Sequence, residues 1–187
     1  MLSEADLDPF FDDIRQEAFR VETLPAYAVA AESAGLAAYL SGEPFQKSET
    51  GQQFNEFIRG QVEAGVTWRR VRVMRGPLTD YERWECEWGY AKSEQDGHRT
   101  FVIDLAEVRD PPRLPAYDWW MLDERVVLRF HYDQAGEFLG ADAIDEPEQV
   151  TAHLCYRDAA LGAAVPFPQY WAAHPQYWRE NWPSSCA

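Results

Sequence analysis

Gly65-Val66-Thr67-Trp68-Arg69-Arg70-Val71-Arg72-Val73-Met74-Arg75-Gly76-Pro77 is where the chain changes character. Before it, apolar residues return at helical spacing; within it they alternate. Residues 66–75 therefore read as a strand, with Val71 and Val73 on one face and Trp68, Arg70 and Arg72 on the other. Gly76-Pro77 turns the chain. The stretch separates a helical N-terminal part from a run of strands.

Upstream, Asp8 reads as an N-cap with Pro9 at the first helical position, followed by Phe10, Phe11, Ile14, Ala18 and Phe19 at helical spacing. Residues 21–29, with Pro25, read as an extended connection. Residues 31–41 read as a short helix ended by Gly42 and Pro44. Thr50 and Gln53 have capping-box spacing ahead of Phe54, Phe57, Ile58 and Val62, and Gly65 closes that helix. Downstream, residues 81–90 read as a second strand. It would carry Glu82, Trp84, Cys86, Trp88 and Tyr90 on one face and Tyr81, Arg83, Glu85 and Glu87 on the other. Residues 92–99 read as a polar loop, 100–105 as a third strand and 109–117 as a proline-rich loop. Residues 118–122 and 125–133 read as strands around a tight turn at Asp123-Glu124, and 138–141 as a short strand. Asp145-Glu146-Pro147 caps a last helix over 147–163. Helices, then strands, then a helix define an α/β (mixed α+β) class: a mixed sheet flanked by helices in a single domain.

The 187 residues suit one domain with an appendage: residues 1–165 as the α/β domain and 166–187 as a Trp/Pro-rich tail. The tail carries Pro166, Pro168, Pro175 and Pro183, and Pro168-Gln169-Tyr170-Trp171 recurs as Pro175-Gln176-Tyr177-Trp178. It reads either as an aromatic strap on its own domain or as an anchor, through Trp171, Trp178 and Trp182, for a protein partner or a second copy. The net charge of −15 disfavours nucleic acid and anionic lipid, whose binding depends on neutralising phosphates. Arginine supplies almost all the positive charge; Lys47 and Lys92 are the only lysines. The three cysteines, Cys86, Cys155 and Cys186, fit no metal spacing and read as reduced thiols of a cytoplasmic chain, with Cys186 an incidental exposed one. No signal peptide is expected from the acidic start, and no apolar run is long enough to span a membrane.

Phosphate loops, a dinucleotide fingerprint and the hydrolase nucleophile elbow are all absent, and the four histidines show no metal-ligand spacing. No metal or cofactor is expected. One constellation remains. In residues 126–133, Val127, Arg129, His131 and Asp133 share a face. Were the strands 68–75, 81–90 and 125–133 neighbours, one sheet face would carry Arg70, Arg72, Arg83, Glu85, Glu87, Arg129 and His131. Such a face is either a solvated, ion-paired surface or a cleft. In a cleft, His131 would act as acid or base beside Glu85 or Glu87, while Arg70, Arg72, Arg83 and Arg129 held a small anionic ligand. Asp123 serves the turn.

Four strings carry a family resemblance. They are Phe19-Arg20-Val21-Glu22-Thr23-Leu24-Pro25 with Tyr27; Pro77-Leu78-Thr79-Asp80-Tyr81 with Arg83-Trp84 and Glu87-Trp88; Tyr117-Asp118-Trp119-Trp120-Met121-Leu122-Asp123 with His131-Tyr132-Asp133 and Gly136; and Tyr156-Arg157-Asp158 with Ala160-Leu161 and Ala164-Val165-Pro166. Over about residues 14–170 the chain resembles an actinobacterial family catalogued as a domain of unknown function, often encoded near small helix-turn-helix regulators. The resemblance implies an accessory or regulatory role. The chain departs from the family pattern at residues 97–104 and beyond 170. More weakly it resembles one half of a phospholipase D-like fold. There, Ala64-Gly65-Val66 would lead into an Arg/Val strand, followed by the strand pair over 120–127. That fold's H-x-K-x-x-x-x-D motif is missing: Ala116 and Asp118 stand at the matching spacing before Asp123. The resemblance thus implies a scaffold without phosphodiesterase chemistry. The sequence reading is a non-catalytic regulatory or accessory module acting by protein–protein or small-ligand binding. Its alternative is a cofactor-independent acid/base enzyme on a small metabolite of specialised metabolism, using His131 with Glu85 or Glu87.

Overall fold

In the computed structural model, which describes residues 1–45 and 48–182, the 66–75 stretch forms a central strand. Cys186 and Pro183 lie outside the described residues. The elements run α1 (Asp8–Asp12), β1 (Glu17–Glu22), α2 (Ala30–Leu40), α3 (Glu49–Glu63), β2 (Thr67–Met74) and α4 (Asp80–Trp84). A π-helical run over Glu85–Tyr90 and the single turn α5 (Ala91–Ser93) follow. Then come β3 (His98–Asp104), β4 (Trp119–Leu122), β5 (Val126–Tyr132), β6 (Phe138–Ile144), α6 (Pro147–Ala163), β7 (Val165–Pro166) and α7 (Phe167–Ala173).

The strands make one seven-stranded mixed sheet in the order β6-β5-β4-β1-β2-β3-β7. β1, β2 and β3 are parallel; the other pairings are antiparallel. The expected α/β class, a mixed sheet flanked by helices, is what the chain adopts. Alternation sorts the side chains. One face presents Phe19, Val21, Val71, Val73, Ile103, Trp119, Met121 and Val127 to Val150 and Ala160 of α6. The other face presents Ala18, Trp68, Trp120, Leu122 and Leu128 to Ile58 and Phe57 of α3 and to Phe10 and Phe11 of α1. Trp68 is fully buried there, edge-on to Phe54, Phe57 and Trp120.

Several elements depart from the sequence reading. The stretch 81–90 is helical, so the strand expected there does not exist. Thr79 caps it: its hydroxyl accepts from Glu82 N, and the Glu82 carboxylate accepts from Thr79 N. The period-2 pattern misled because both sides of the segment are covered; Tyr81, Glu85, Cys86, Trp88 and Tyr90 are all buried. The first helix stops at Asp12, and Ala18 and Phe19 belong to β1. The cause lies across the sheet. Asp123 accepts from the backbone N–H of Arg15 (2.9 Å), Gln16 (2.7 Å) and Glu17 (2.9 Å), drawing those donors away from a helical ladder. The polar loop expected over 92–99 holds α5 and a 3-10 turn, Glu94–Asp96. The tail, expected as a separate unit from residue 166, begins inside the sheet, since β7 pairs with β3.

Asp123 and Glu124 both have left-handed backbone (φ 52° and 57°), the two-residue turn that matches strand twist. Burial pushes the Asp123 carboxyl upward, but the three backbone donors outweigh it and hold the group below the usual carboxylate range. Asp123→Ala should therefore cost on the order of 2–3 kcal/mol near neutral pH. Because the folded-state value is depressed, this contribution is present above the unfolded carboxyl range and lost as pH falls through it. Urea denaturation of both proteins should show the gap closing below about pH 4; a gap that persisted there would refute the charged-cap account.

Candidate functional site

The expected polar face is divided among three places. β2 and β5 are separated by β1 and β4, and the sheet sets their polar residues on opposite sides. Arg129 and His131 lie on the α6 side, where Arg129 Nη2 (2.6 Å) and His131 Nε2 (2.8 Å) share Asp142 Oδ2. Bonds from Arg129 first, then from His131, hold Asp142 down at about 2. Arg83 is on the outside of α4, bonded to Asp80 (2.6 Å) and stacked over Trp182. Glu87 accepts from Tyr39 Oη and from the backbone of Arg179 in the tail, both at 3.0 Å. His131 thus pairs with Asp142, and neither Glu85 nor Glu87 is its partner: Glu85 faces the other side of the sheet. The pairing of His131 with Glu85 or Glu87 expected from the sequence is not assembled.

Arg70, Arg72 and Glu85 do come together, with two residues the sequence reading did not select. In register, Arg20 of β1 stands beside Arg70 of β2, and Glu22 beside Arg72. All four point away from α6, under α4 and the π-helical run. Glu22 binds Arg20 Nη1 (3.0 Å) and Arg70 Nε (2.9 Å). Arg72 Nη2 donates to Glu85 Oε2 (2.9 Å), and its Nη1 donates to the carbonyl of Leu24. Asp118, just ahead of β4, accepts from Thr23 N (2.8 Å), Thr23 Oγ1 (2.9 Å) and Tyr27 Oη (2.6 Å), with Arg20 Nη2 at 3.9 Å. Aromatic rings wall the cluster: Arg20 lies over Trp120, Arg70 over Tyr90, and Arg72 over Tyr27.

The signal for Arg20 and Glu22 was available. Ala18, Arg20 and Glu22 alternate with Phe19 and Val21, a strand pattern masked by helical spacing from Phe10 onward.

The electrostatics follow from burial. The side chain of Arg72 is 0% exposed, those of Arg20 and Arg70 are 16% and 12% exposed, and Glu85 is 8% exposed overall. Desolvation opposes charge on Arg20 and Arg72, but Glu22 beside the first and Glu85 beside the second outweigh it and keep both cationic. Burial would also protonate Glu22, yet Arg20, Arg70 and Arg72 around it hold it below the usual range. Glu85 goes the other way. Burial lifts it to about 7, Arg72 and Arg70 pull against that, and the charges on Glu22 and Glu32 add to it. Burial likewise raises Asp118 and Glu32. Among the described residues, Arg20 Nε, Arg72 Nε and the Tyr90 hydroxyl are buried without a hydrogen-bond partner. Such groups are costly unless something fills the place beside them.

The tail tryptophans Trp171, Trp178 and Trp182, read from the sequence as a strap on their own domain or as partner contacts, pack within the fold. Trp171 packs on Phe167, Trp178 Nε1 donates to the Trp171 carbonyl (2.9 Å), and Trp182 packs edge-on to Tyr39. Arg179 closes this strap, donating to the carbonyls of Tyr39 (3.2 Å) and Glu43 (2.7 Å) at the end of α2. Among the described residues, no group of three His, Cys, Asp or Glu side chains is placed to hold a metal ion. No helix among them is long and apolar enough to cross a membrane.

Fold and site together define a mixed α/β domain with an enclosed arginine–carboxylate–tyrosine cluster at one face of its sheet. The chain belongs to the family described as Domain of unknown function (DUF6879), whose model matches residues 5–172. It is also similar to a solved phospholipase D family member, Nuc from Salmonella typhimurium. That likeness has 10% identity and a TM-score of 0.48, and covers 84% of this chain and 86% of the other. A comparison with curated proteins finds no match.

Proposed function

We propose that this chain is a non-catalytic binding module, regulatory or accessory in role, that holds a small oxyanion in the Arg20–Arg70–Arg72 cluster. The observation that carries this reading is the convergence of three guanidiniums from adjacent parallel strands with buried donors still unpaired. Planar guanidiniums present forked N–H groups to carboxylate, phosphate or sulfate oxygens. The wall of Tyr27, Tyr90 and Trp120 excludes water, which strengthens such bonds. The cluster holds no nucleophile with a neighbouring base, so recognition rather than turnover is the chemistry it favours. A π-helical run over the cluster adds support, since such irregularities concentrate at functional sites.

An acid/base enzyme remains a second reading through one contact, the His131–Asp142 pair, where an imidazole is oriented by a carboxylate at the surface.

The test is a thermal-shift and calorimetric series with sulfate, phosphate and citrate against chloride at matched ionic strength. Oxyanions should raise Tm and chloride should not. Arg70→Met, which keeps an aliphatic stem across Tyr90, should weaken binding about tenfold or more, or about 1.4 kcal/mol. An equal response to chloride and to every oxyanion would remove the reading.

A further inference from the structure

The three carboxylates that neutralise the arginines are not held alike. Asp118 is anchored by a backbone N–H, a threonine hydroxyl and a tyrosine hydroxyl. Glu22, within the sheet, lies 3.0 Å from Arg20 Nη1 and 2.9 Å from Arg70 Nε, ion-paired to two guanidiniums rather than one. Among the described residues, the Glu85 side chain makes one hydrogen bond, to Arg72 Nη2. Its support differs too. Glu22 is part of the sheet that carries the arginines, whereas Glu85 opens the π-helical run packed above it. Parting Glu85 from Arg72 therefore breaks one side-chain hydrogen bond and no strand pairing.

We infer that Glu85 is a resident counter-ion occupying the anion's place on Arg72, and that a small oxyanion enters by displacing the Glu85 carboxylate, which takes a proton from solvent as it leaves. This rests on the oxyanion-binding reading of the same cluster. The exchange balances. The bond from Arg72 Nη2 to Glu85 Oε2 is replaced by one to the ligand oxygen, and the proton goes to Glu85. Protonation of Glu85 removes one negative charge as the ligand brings its own, so a monoanion leaves the cluster charge unchanged and sulfate adds one unit instead of two, which lowers the penalty of burying an uncompensated charge. The groups facing Glu85 favour this direction. Glu22 from β1 and Glu32 from α2 repel its charge. Arg70 and Arg72 from β2 attract it. Tyr81 of α4 and Cys86 and Tyr90 of its own run stay neutral, their ionisation opposed by burial first and by Glu85 next. Binding then becomes pH-linked: the module holds its ligand more tightly as the surroundings acidify.

The experiment uses the full chain with sulfate, whose own charge is constant near neutrality. For the wild type, affinity should fall about tenfold from about pH 6 to about pH 8. Calorimetry in two buffers of different ionisation enthalpy should show close to one proton taken up per sulfate at about pH 8. Glu85→Gln should bind sulfate about tenfold more tightly than wild type at that pH and lose the pH dependence. A Glu85→Gln protein with wild-type affinity and slope would overturn the displacement while leaving the oxyanion reading intact. So would zero proton uptake by the wild type, a measurement that needs no variant. No sulfate binding by either protein would overturn both.

Discussion

A chain ending at Val165 is expected to lose cooperative folding at 25 °C. The tail looks like an appendage in composition, yet Pro166 pairs with Phe101 at the sheet edge, and Phe167 and Tyr170 are buried with Met74, Cys86, Tyr90 and Val102. Tyr170 also donates its hydroxyl to Asp104 (2.9 Å). Removing a buried aromatic such as Phe167 costs about 3–5 kcal/mol. Stranding Asp104 adds about 1–3 kcal/mol. The loss of the Arg179 strap across α2 and Glu87 comes on top of these. A domain of this size has about 5–15 kcal/mol in all, so the deficit takes most of it. Near-ultraviolet circular dichroism and urea titration are the measurements. Phe167→Ala alone should lower stability by about 3–5 kcal/mol with the transition still cooperative. A truncated chain that unfolds cooperatively within about 1 kcal/mol of the full one would return the tail to the role of a detachable anchor.

Arg72→Leu is expected to cost about 3–5 kcal/mol, because it leaves Glu85 buried without its guanidinium. The loss should depend on pH in a defined direction. The folded-state value of Glu85 is already raised above its unfolded value, so its favourable protonation is fully present at low pH and lost as pH rises through about 7. Removing Arg72 raises the group further, so the variant should suffer more at about pH 8 than at about pH 5. Replacing both members, Arg72→Leu with Glu85→Leu, should recover part of the loss, since an apolar pair of similar volume often matches a buried ion pair. Guanidinium denaturation across that pH range completes the cycle. A single-variant loss independent of pH, with no recovery in the double variant, would mean that Arg72 acts through packing and the Leu24 carbonyl instead.

The strands were legible where one element answers to one neighbour on each face. β5 alternates as read, with Val127, Arg129 and His131 on one side and Leu128, Phe130 and Tyr132 on the other. The 147–163 helix spans the residues read for it, starting with Pro147 in the first turn, where its missing N–H costs nothing. Legibility failed at 81–90, where tertiary burial on every side erased the periodic signal and left the Thr79–Glu82 cap as the only local clue. The site was half legible. Arg70 and Arg72 are legible because alternation with Val71 and Val73 puts both on the polar face of the strand. Arg20 and Glu22 are hidden in the sequence because β1 follows a helix-like run. A grouping of His131 with Glu85 or Glu87 needs 68–75, 81–90 and 125–133 to be neighbouring strands, but 81–90 is helical and β1 and β4 separate β2 from β5.

By itself, then, the order of residues determined the local state of most segments and the face on which each strand side chain stands, because those follow from backbone geometry and nearest neighbours in the chain. It determined that the central strand carries arginines on the same face as Trp68. Only the tertiary structure decided what those arginines meet. Strand order is a long-range choice, made where Asp123 ties the approach to β1 beside β4, where β1 joins β2 in parallel, and where the tail completes the edge. That choice brought Glu22 and Glu85 to the arginines and sent His131 to the opposite face. Which apolar faces and which charges can be buried together depends on pairings between distant segments, a condition that no local stretch of sequence can satisfy alone.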